Sequence, residues 1–592
     1  MRSLGPSGTI AAMSSQRDER VLREGLVVLA LTLVGFVLRF QGFGRVGLTH
    51  FDEGVYALSG LWSVQPGGLA ALSPDVVPYA PPGFPFLVGL TYAFVGVSDA
   101  SAVLPAILCG VATIPVAAWV ARRTFGPGAG AASATFAALS LAHAAFSRKA
   151  LTDAPFLLAW FVAIGLGGRF LERPGLLRAL GLGIAVGLAQ NVKYNGAVAG
   201  LVVIVAALAG AVSSRERRTP TVLRTTFGWG LFAAVVAISI YWPWFRFVET
   251  HGGYADLLRH QRNYTGGAAS WLPHWRQQLA QVAALSGGPR WSALVWPAAW
   301  VAASIAACGG SFFVRNSRWD AARFRVGLLL GAAVMAALPD LGWWVGLVWF
   351  ARLLFDSRPA ARVLGAWWLV LSVLTPFYHP YARLWLPLHG AVWVLLAGVV
   401  TTLGPFGART AGGELDWGAL RRNRRMIAEV AFTVACLIAA RFHWREDVPW
   451  AFTPTDVFAP SDDLRTAVVA LTGPTSPIAA DPDATLRVLA RRPVAFYLAL
   501  SGKRPFRLAA DAGAIISGPN SPAEWALIDG AVYEGRLSDL TARNRHGLQF
   551  ARSLGWYTRL DPVTLLDVIP ESAFLGRPRN PTELILLAPR GR

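Results

Sequence analysis

The feature of this sequence that most limits its fold is a series of long apolar segments almost free of ionisable residues. A run of about 20 apolar residues, wound as a helix, is long enough to cross the hydrocarbon core of a bilayer. Hydrophobic residues make up 54% of the chain and charged residues only 15%, a composition typical of membrane proteins. The sequence therefore predicts a polytopic α-helical membrane protein. The predicted transmembrane helices number about 13 and lie near residues 25–43, 102–121, 128–146, 154–171, 179–191, 196–212, 228–247, 291–313, 326–338, 341–355, 363–378, 384–403 and 427–443.

The segment 81–97, PPGFPFLVGLTYAFVGV, decides the predicted topology, because counting it as a span reverses the orientation of everything after it. Without it, 23 arginines fall in loops on one side of the membrane and nine basic residues on the other. Arginine and lysine are concentrated in the cytoplasmic loops of membrane proteins. We therefore predict that 81–97 is a juxtamembrane helix at the interface, that the N-terminus is cytoplasmic and that the C-terminus is outside.

The two ends of the chain differ in composition from its middle. Residues 1–24 are polar and lack the apolar segment of a signal peptide, which predicts a disordered cytoplasmic tail. Residues 25–443 form the predicted transmembrane domain, with long external loops at 44–101, where juxtamembrane helices are expected, and at 248–290. Residues 444–592 alternate short strand-like and helix-like stretches, which predicts a small extracytoplasmic α/β domain at the end of the chain.

The net charge of +20 does not indicate a nucleic-acid partner, because the basic residues lie in short clusters between apolar runs. A nucleic-acid interface would need a basic face with interleaved aromatic residues, and the sequence has no such pattern. All three cysteines lie in or beside apolar runs, which predicts neither a disulfide framework nor a cysteine-based metal site.

Five ionisable residues stand at the predicted outer ends of membrane spans, and the predicted topology places them on the same face. They are Asp52, Glu53, Asp153, Lys193 and Arg383. Charges at this depth are costly unless they are paired or functional, so their clustering is informative. Cations beside a carboxylate suit a substrate with a phosphate head and a lipid tail, in which the carboxylate takes a proton from a hydroxyl nucleophile.

Four of these residues also have an ordinary structural interpretation. Asp52 and Glu53 are equally suited to begin a helix near Gly54, since acids favour helix N-termini. Asp153 precedes Ala-Pro, a common N-terminal helix signature, and Lys193 suits a side chain that reaches up to lipid headgroups. Function and helix capping are compatible, so both interpretations stay open at this point.

Several short motifs resemble those of the GT-C glycosyltransferases, specifically the branch of protein O-mannosyltransferases and lipid A aminoarabinose transferases. Over roughly residues 20 to 400, their order and spacing follow that branch. The similar stretches are FDEGVYALSG at 51–60, YAPPGFPFLVGL at 79–90, RKALTDAPF at 148–156, GLAQNVKYNG at 187–196 and, more weakly, PYARLWLP at 380–387.

The resemblance implies an inverting glycosyltransferase with an outward-facing site, a polyprenyl-phosphate sugar donor and an external acceptor that is a protein, lipid or glycan. It implies that Asp52 is the general base and that Glu53 supports it. The implied phosphate-binding cations are Lys193 and Arg383. The full set of implied substrate-binding residues is Tyr56, Arg148, Lys149, Asp153, Lys193, Tyr194, His379, Tyr381 and Arg383.

The sequence departs from the family pattern at two points. Tyr79 and Ala80 stand where the family has a lysine before Pro-Pro, so Arg148 or Lys149 is expected to supply that phosphate contact. The Trp-Trp-Asp motif of oligosaccharyltransferase catalytic subunits is missing, which argues against N-glycosylation of sequons.

Two further questions stay open in the sequence. A divalent metal ion has hard ligands available, but they do not decide whether one is bound; these are His50, Asp52, Glu53 and Asp153. The same charges also suit a transporter or flippase for a lipid-linked sugar, which is the alternative function. A membrane scaffold that presents residues 444–592 to partners is the non-enzymatic alternative.

Overall fold

The computed structural model describes most of the chain in separate stretches. These are residues 6–64, 80–126, 128–213, 220–275, 353–379, 381–403, 458, 460–481, 483–501, 506–509, 524–529, 548–556 and 582–589. Three predicted spans, near 291–313, 326–338 and 427–443, lie outside the described residues, and so does the one near 341–355 except for its last three residues. The predicted total of 13 spans therefore stays a prediction.

The first three quarters of the described chain are helical, as the apolar runs predicted. The helices are α1 (Pro6–Phe40), α2 (Phe51–Val64), α3 (Gly83–Val95), α4 (Asp99–Phe125), α5 (Ala129–Leu139), α6 (Leu141–Ser147), α7 (Asp153–Glu172), α8 (Leu176–Val192), α9 (Val198–Ser213), α10 (Pro220–Thr250), α11 (Gly253–Gln261), α12 (Pro359–Leu374) and α13 (Leu386–Leu403). Single-turn 3-10 helices link some of them at Phe43–Arg45, Arg262–Tyr264, Thr375–Phe377 and Ala382–Trp385.

Five stretches of the described chain are long and apolar enough to cross a membrane: Val21–Arg45, Asp99–Phe125, Asp153–Glu172, Thr221–Thr250 and Pro359–Phe377. The bent pair α5 and α6 makes a sixth if it is counted as one span. The molecule is thus a helical integral membrane protein. Helix α1 begins at Pro6, so the described residues of the predicted disordered tail 1–24 are helical and continuous with the first span.

The predicted straight span near 128–146 is broken in the structure by a 62° bend between α5 and α6. A bend in a helix leaves backbone carbonyl groups without their usual partners. The buried guanidinium of Arg39, at the end of α1, donates to the carbonyl oxygens of Ala137 at 3.1 Å and Ala138 at 3.3 Å, and meets His143 Nδ1 at 2.8 Å. Arg39 therefore stabilises the break, which the apolar pattern alone did not predict.

Helix α3 covers most of the segment that we predicted to lie at the interface. Its 13 residues extend about 20 Å, which is shorter than the hydrocarbon core. It packs closely on α2, where a Cβ added to Gly60 would lie only 2.5 Å from Val88 Cγ1. The rings of Tyr56 and Phe84 meet edge to face at 5.5 Å. The length agrees with a juxtamembrane helix, whose place in the membrane stays a prediction.

The described residues after 458 form a small α/β unit. Two helices, α14 (Asp463–Thr472) and α15 (Arg492–Ser501), accompany a five-stranded sheet. The strand order is β2-β1-β3-β5-β4, for β1 (Thr485–Leu489), β2 (Phe506–Leu508), β3 (Glu524–Asp529), β4 (Leu548–Trp556) and β5 (Thr582–Pro589). Strand β1 is parallel to both neighbours, whereas β5 is antiparallel to both of its own. Every residue of β3 is buried, as expected for a central strand covered on both faces.

Candidate active site

The two adjacent acids lie in the first turn of α2, and the structure gives them different surroundings. Glu53 is fully buried, and its Oε2 accepts hydrogen bonds from the backbone N–H groups of Thr49 at 2.8 Å and His50 at 2.9 Å. Its Oε1 accepts from the backbone N–H of Ala150 at 2.9 Å, and Lys149 Nζ lies 3.8 Å from Oε2. Glu53 therefore caps its own helix and ties the first loop to residues 149–150.

Asp52 faces a different set of groups. Its Oδ2 accepts a hydrogen bond from Arg383 Nη1, and its backbone N–H donates to His50 Nδ1 at 3.0 Å. Burial raises the pKa of Asp52, but the charges of Arg383, His50 and Lys193 together outweigh burial, so the pKa lies below its ordinary value. The carboxylate is thus ionised at neutral pH, and 7% of the side chain stays exposed.

A second acid–cation pair joins the first residue of α7 to the residue that follows the last residue of α8. Lys193 Nζ donates to Asp153 Oδ1 at 2.7 Å. Asp153 is 2% exposed, and its other oxygen, Oδ2, is buried and has no hydrogen-bond partner among the described residues. Lys193 is 20% exposed, with its ammonium 5.7 Å from the centre of the Phe156 ring. The described residues therefore satisfy only part of the hydrogen-bonding capacity of this pair.

Tyr56 connects the two pairs. It is buried, its side chain is hydrogen-bonded to that of Thr152, and it lies within electrostatic range of Asp52, Asp153 and Arg383. Burial raises the pKa of Tyr56, and the two carboxylates raise it further against the opposing effect of Arg383. The phenol is therefore a neutral hydrogen-bond donor. We call the four charged residues Asp52, Arg383, Asp153 and Lys193 the acid–cation cluster.

Arg148 and Lys149 are bonded to other protein groups. Arg148 Nη1 donates to the carbonyl oxygen of Arg39 at 2.9 Å, and its guanidinium lies 5.3 Å from the centre of the Phe458 ring. Burial lowers the pKa of Arg148 to about 10. Lys149 Nζ donates to Thr49 Oγ1 at 3.0 Å. To take the predicted place of the missing family lysine, either side chain would have to leave these partners.

Aromatic side chains border the cluster on the side of Arg383. The Tyr381 ring lies 5.6 Å from the Arg383 guanidinium and 4.5 Å from the ring of His379. Tyr194, beside Lys193, accepts a hydrogen bond from Trp244 Nε1 at 3.3 Å. The predicted contacts of Tyr194, His379 and Tyr381 with a substrate stay a prediction.

The described part of the long loop 248–290 adds residues that the sequence did not identify individually. The ring of Tyr264 stacks on Tyr378 at 6.1 Å and lies 6.1 Å from Tyr381. The carbonyl oxygen of Tyr264 accepts from the backbone N–H of His379 at 2.6 Å, and Tyr378 donates to Gln261 Oε1 at 2.7 Å. The density of tyrosine in both segments was the available signal, but sequence alone does not show that they meet.

The residues considered for a divalent metal do not form a metal site in the structure. Within the described stretches, no three His, Cys, Asp or Glu side chains are grouped so that they could hold a metal ion. Glu53 uses both oxygens on backbone N–H groups, and His50 Nδ1 accepts the N–H of Asp52. Asp52 faces a guanidinium, which a cation would have to displace.

Comparison with known proteins supports the resemblance drawn from the motifs. Residues 79–244 match the family described as dolichyl-phosphate-mannose-protein mannosyltransferase, a range that includes Asp153 and Lys193. No curated protein sequence matches the chain. The resemblance to this group of glycosyltransferases is thereby confirmed over the matched segment.

Among solved structures, the fold is similar to that of ArnT from Cupriavidus metallidurans, in crystal structures bound to undecaprenyl phosphate and in the apo state. Each match has a TM-score of 0.50 and 16% identity, and covers 95% of this chain and 97% of that chain. The Archaeoglobus fulgidus oligosaccharyltransferase matches 82% of this chain and 63% of its own, with 13% identity and a TM-score of 0.41. The similarity to ArnT over nearly the whole of both chains shows that this chain has the GT-C fold.

Proposed function

We propose that this protein is a membrane glycosyltransferase that transfers a sugar from a polyprenyl-phosphate donor to an extracytoplasmic acceptor, with inversion at the anomeric carbon. The observation that carries the proposal is the acid–cation cluster, in which two carboxylates and two cations meet around Tyr56. The undecaprenyl phosphate bound to ArnT, which has the same fold, supports the class of donor.

The Asp52–Arg383 pair is suited to an exchange when the donor binds. A phosphate oxygen competes well for a guanidinium, because arginine recognises phosphate through a planar fork of N–H groups. Arg383 that turns to the phosphate no longer lowers the pKa of Asp52, so the carboxylate becomes a stronger base as the donor arrives. Donor binding thereby activates the base.

The transfer itself is a single displacement. The oxygen of an acceptor hydroxyl attacks the anomeric carbon from the side opposite the phosphate, and its proton passes to Asp52. The bond between the anomeric carbon and the phosphate oxygen breaks, and its electron pair leaves on polyprenyl phosphate. Arg383 and Lys193 stabilise the charge that develops on this leaving group. One displacement inverts the configuration of the sugar.

Asp153 is suited to hold the sugar. Its buried Oδ2 has no partner among the described residues, and an unsatisfied buried acceptor costs free energy that a hydroxyl donor removes. The Lys193 ammonium fixes the other oxygen at 2.7 Å, so the free oxygen has a defined direction. A sugar hydroxyl bonded there would orient the ring while Lys193 contacts the phosphate.

The predicted domain boundaries and topology belong to this proposal. Residues 1–24 are assigned to the cytoplasm, 25–443 to the catalytic membrane domain, and 444–592 to an extracytoplasmic domain, in a bacterial or archaeal plasma membrane. The cluster then opens on the same side as the C-terminal domain. Acceptor choice is assigned to the loop 248–290, whose described part contacts the tyrosines beside Arg383.

The test is transfer by purified protein from labelled polyprenyl-phosphate sugars to candidate acceptors. Asp52→Asn should lower kcat by about 10²–10⁴-fold, the range that a general base contributes. Glu172→Gln is the matched control, because it removes a paired carboxylate from the far end of α7 and should leave kcat unchanged. Equal turnover by Asp52→Asn and wild type would refute the assignment of the base. Movement of the intact lipid-linked sugar across the membrane of liposomes, without transfer of the sugar to an acceptor, would favour a flippase instead.

A further inference from the structure

The backbone that leads into Asp52 is bound by residues of the C-terminal α/β unit. Ser461 donates its backbone N–H to the carbonyl oxygen of Arg45 at 3.0 Å and accepts the N–H of Gly47 on Oγ at 3.1 Å. The hydroxyl of Tyr497 accepts the N–H of Leu48 at 2.8 Å. These partners lie more than 400 residues apart in sequence.

Arg491 holds the next residue of the same loop. Its Nη1 donates to the carbonyl oxygen of Thr49 at 3.0 Å, and its Nε donates to Asp529 Oδ2 at 2.9 Å. Arg491 follows β1 and Asp529 ends β3. Because these strands are parallel, their carboxyl ends meet at one edge of the sheet, and that edge faces the loop. Both side chains are buried, so the guanidinium is fixed by a buried carboxylate.

Tyr497 is fixed in a similar way. Its hydroxyl donates to Asp99 Oδ2 at 3.2 Å while it accepts the N–H of Leu48, so both of its bonds cross from α15 to the membrane domain. Arg465, on α14, donates to the same carboxylate at 3.1 Å. Two helices of the C-terminal unit are therefore tied to the first residue of α4.

Two glycines show how closely the C-terminal unit lies against this loop and α2. A Cβ added to Gly47 would lie 2.3 Å from the carbonyl oxygen of Ser461. One added to Gly54 would lie 2.2 Å from the backbone nitrogen of Pro493, at the start of α15. The contact leaves no space for a side chain at either position, so it is a packed interface of main chain on main chain.

We propose that Arg491 and Tyr497 are positioning residues of the active site, which fix residues 46–50 and thereby direct Asp52 towards Arg383 and the acceptor. This inference rests on the proposed role of Asp52 as the base. The C-terminal unit then contributes to transfer through main-chain contacts, without touching the substrate.

Hydrogen bonds within residues 49–53 connect the Thr49 carbonyl group to Asp52. The N–H groups of Thr49 and His50 are bound by Glu53, and the N–H of Asp52 is bound by His50. A displacement of the Thr49 carbonyl therefore moves the first turn of α2 and the Asp52 carboxylate with it. A shift of about 1 Å in a reacting group costs roughly 10²-fold in rate.

The test uses a double variant, Arg491→Gln with Asp529→Asn, so that no buried charge is left unpaired. The matched control is Arg487→Gln with Glu524→Gln, which neutralises a buried ion pair on the same two strands, with Glu524 at the opposite end of β3 from Asp529. Both are measured as full-length protein for kcat, donor KM, the pH profile of kcat/KM and amide hydrogen exchange of residues 45–50.

We expect the Arg491/Asp529 variant to lose roughly 10²-fold in kcat with donor KM within about twofold of wild type. Its acidic limb should move to higher pH, because an Asp52 that has turned away from Arg383 is protonated more easily. Exchange at Leu48 and Thr49 should accelerate. The Arg487/Glu524 variant should match wild type in all four measurements. Tyr497→Phe should act in the same direction, with a smaller loss of kcat.

Unchanged exchange and unchanged kcat in the Arg491/Asp529 variant would overturn the inference. An equal loss of kcat in both double variants, with no movement of the acidic limb, would also overturn it, because it would indicate general destabilisation. If the wild type transfers no sugar but the Arg491/Asp529 variant exchanges faster at residues 45–50, the result would support the positioning of this loop by Arg491 and reject the proposed function.

Discussion

The two ends of α7 carry the same kind of ion pair in different surroundings. At its first residue, Asp153 pairs with Lys193, is 2% exposed and keeps one oxygen without a described partner. In its last turn, Glu172 pairs with Arg123 and is 32% exposed. An exposed pair is solvated and contributes little, whereas a buried and half-satisfied pair is costly unless a ligand completes it. The two pairs consist of the same kinds of residue, so they differ in burial and hydrogen bonding and not in composition.

The largest difference between the two ends should appear when the cation is removed. Lys193→Met leaves a buried carboxylate without its partner, which should destabilise the protein by about 3–5 kcal/mol. Transfer should fall by about 10²–10³-fold, since a phosphate-binding cation is lost. Arg123→Met should cost about 0–1 kcal/mol and leave transfer unchanged. Thermal unfolding in detergent and single-turnover transfer measure both effects, and equal losses in the two variants would refute the contrast.

A second comparison uses the two arginines that flank α12. Arg383, beyond its C-terminal end, lowers the pKa of Asp52, so the wild-type carboxylate is ionised above an unusually low pH and activity should persist into acid. Arg383→Gln removes this effect, so the pKa rises and the acidic limb of kcat/KM moves to higher pH. We expect kcat/KM to fall by about 10²-fold as well.

The matched control is Arg358→Gln, at the other end of α12, which removes an ion pair with Asp356. Its acidic limb should coincide with that of wild type. The pH profile of kcat/KM is measured from pH 4 to 8 at about 0.15 M ionic strength, which holds the screening of charges constant. If its acidic limb does not move in Arg383→Gln, the ionisation of Asp52 does not govern that limb.

The two adjacent acids at the start of α2, Asp52 and Glu53, should also differ in their effect on transfer. Glu53→Gln replaces one acceptor oxygen by an N–H₂ group that faces backbone donors, so the loop should loosen without loss of the base. We expect kcat to fall roughly 10-fold with the acidic limb unchanged. A loss as large as that of Asp52→Asn would instead assign Glu53 a direct part in the chemistry.

The smallest effect on transfer is expected from the tyrosines that lie near Arg383. Burial raises the pKa of Tyr378 to about 12, so its hydroxyl stays protonated and donates to Gln261. Tyr378→Phe loses one neutral hydrogen bond and should raise the acceptor KM roughly fivefold, with donor KM unchanged. Initial rates at varied acceptor concentration measure it. A change confined to donor KM would assign these tyrosines to the donor side.

Much of the fold followed from the sequence, because the length of an apolar run is set by bilayer thickness and does not depend on tertiary contacts. The bend between α5 and α6 did not, since it depends on the Arg39 guanidinium reaching carbonyl groups about 100 residues away. The predicted disordered tail is helical from Pro6, because helix α1 begins N-terminal to the apolar span at Val21 and runs into it without a break.

The sequence predicted that four charged residues would lie together, and the structure brings them into two pairs, while their part in a functional site stays a prediction. Topology alone brought Asp52, Asp153, Lys193 and Arg383 to one end of the bundle, and the structure pairs each acid with a cation. The different surroundings of Asp52 and Glu53 could not be predicted from the sequence, because they depend on which backbone N–H groups lie around Glu53 in the folded chain. The contact between Arg491 and Thr49 could not be predicted either, since nothing in the sequence near Arg491 indicates it.

The most direct measurement is an experimental structure of the protein with polyprenyl phosphate bound. The exchange proposed here predicts the phosphate within hydrogen-bonding distance of both Arg383 and Lys193, with the Asp52–Arg383 hydrogen bond broken and the Asp52 carboxylate free to face an acceptor. A phosphate bound elsewhere, with the Asp52–Arg383 and Asp153–Lys193 pairs both intact, would contradict it.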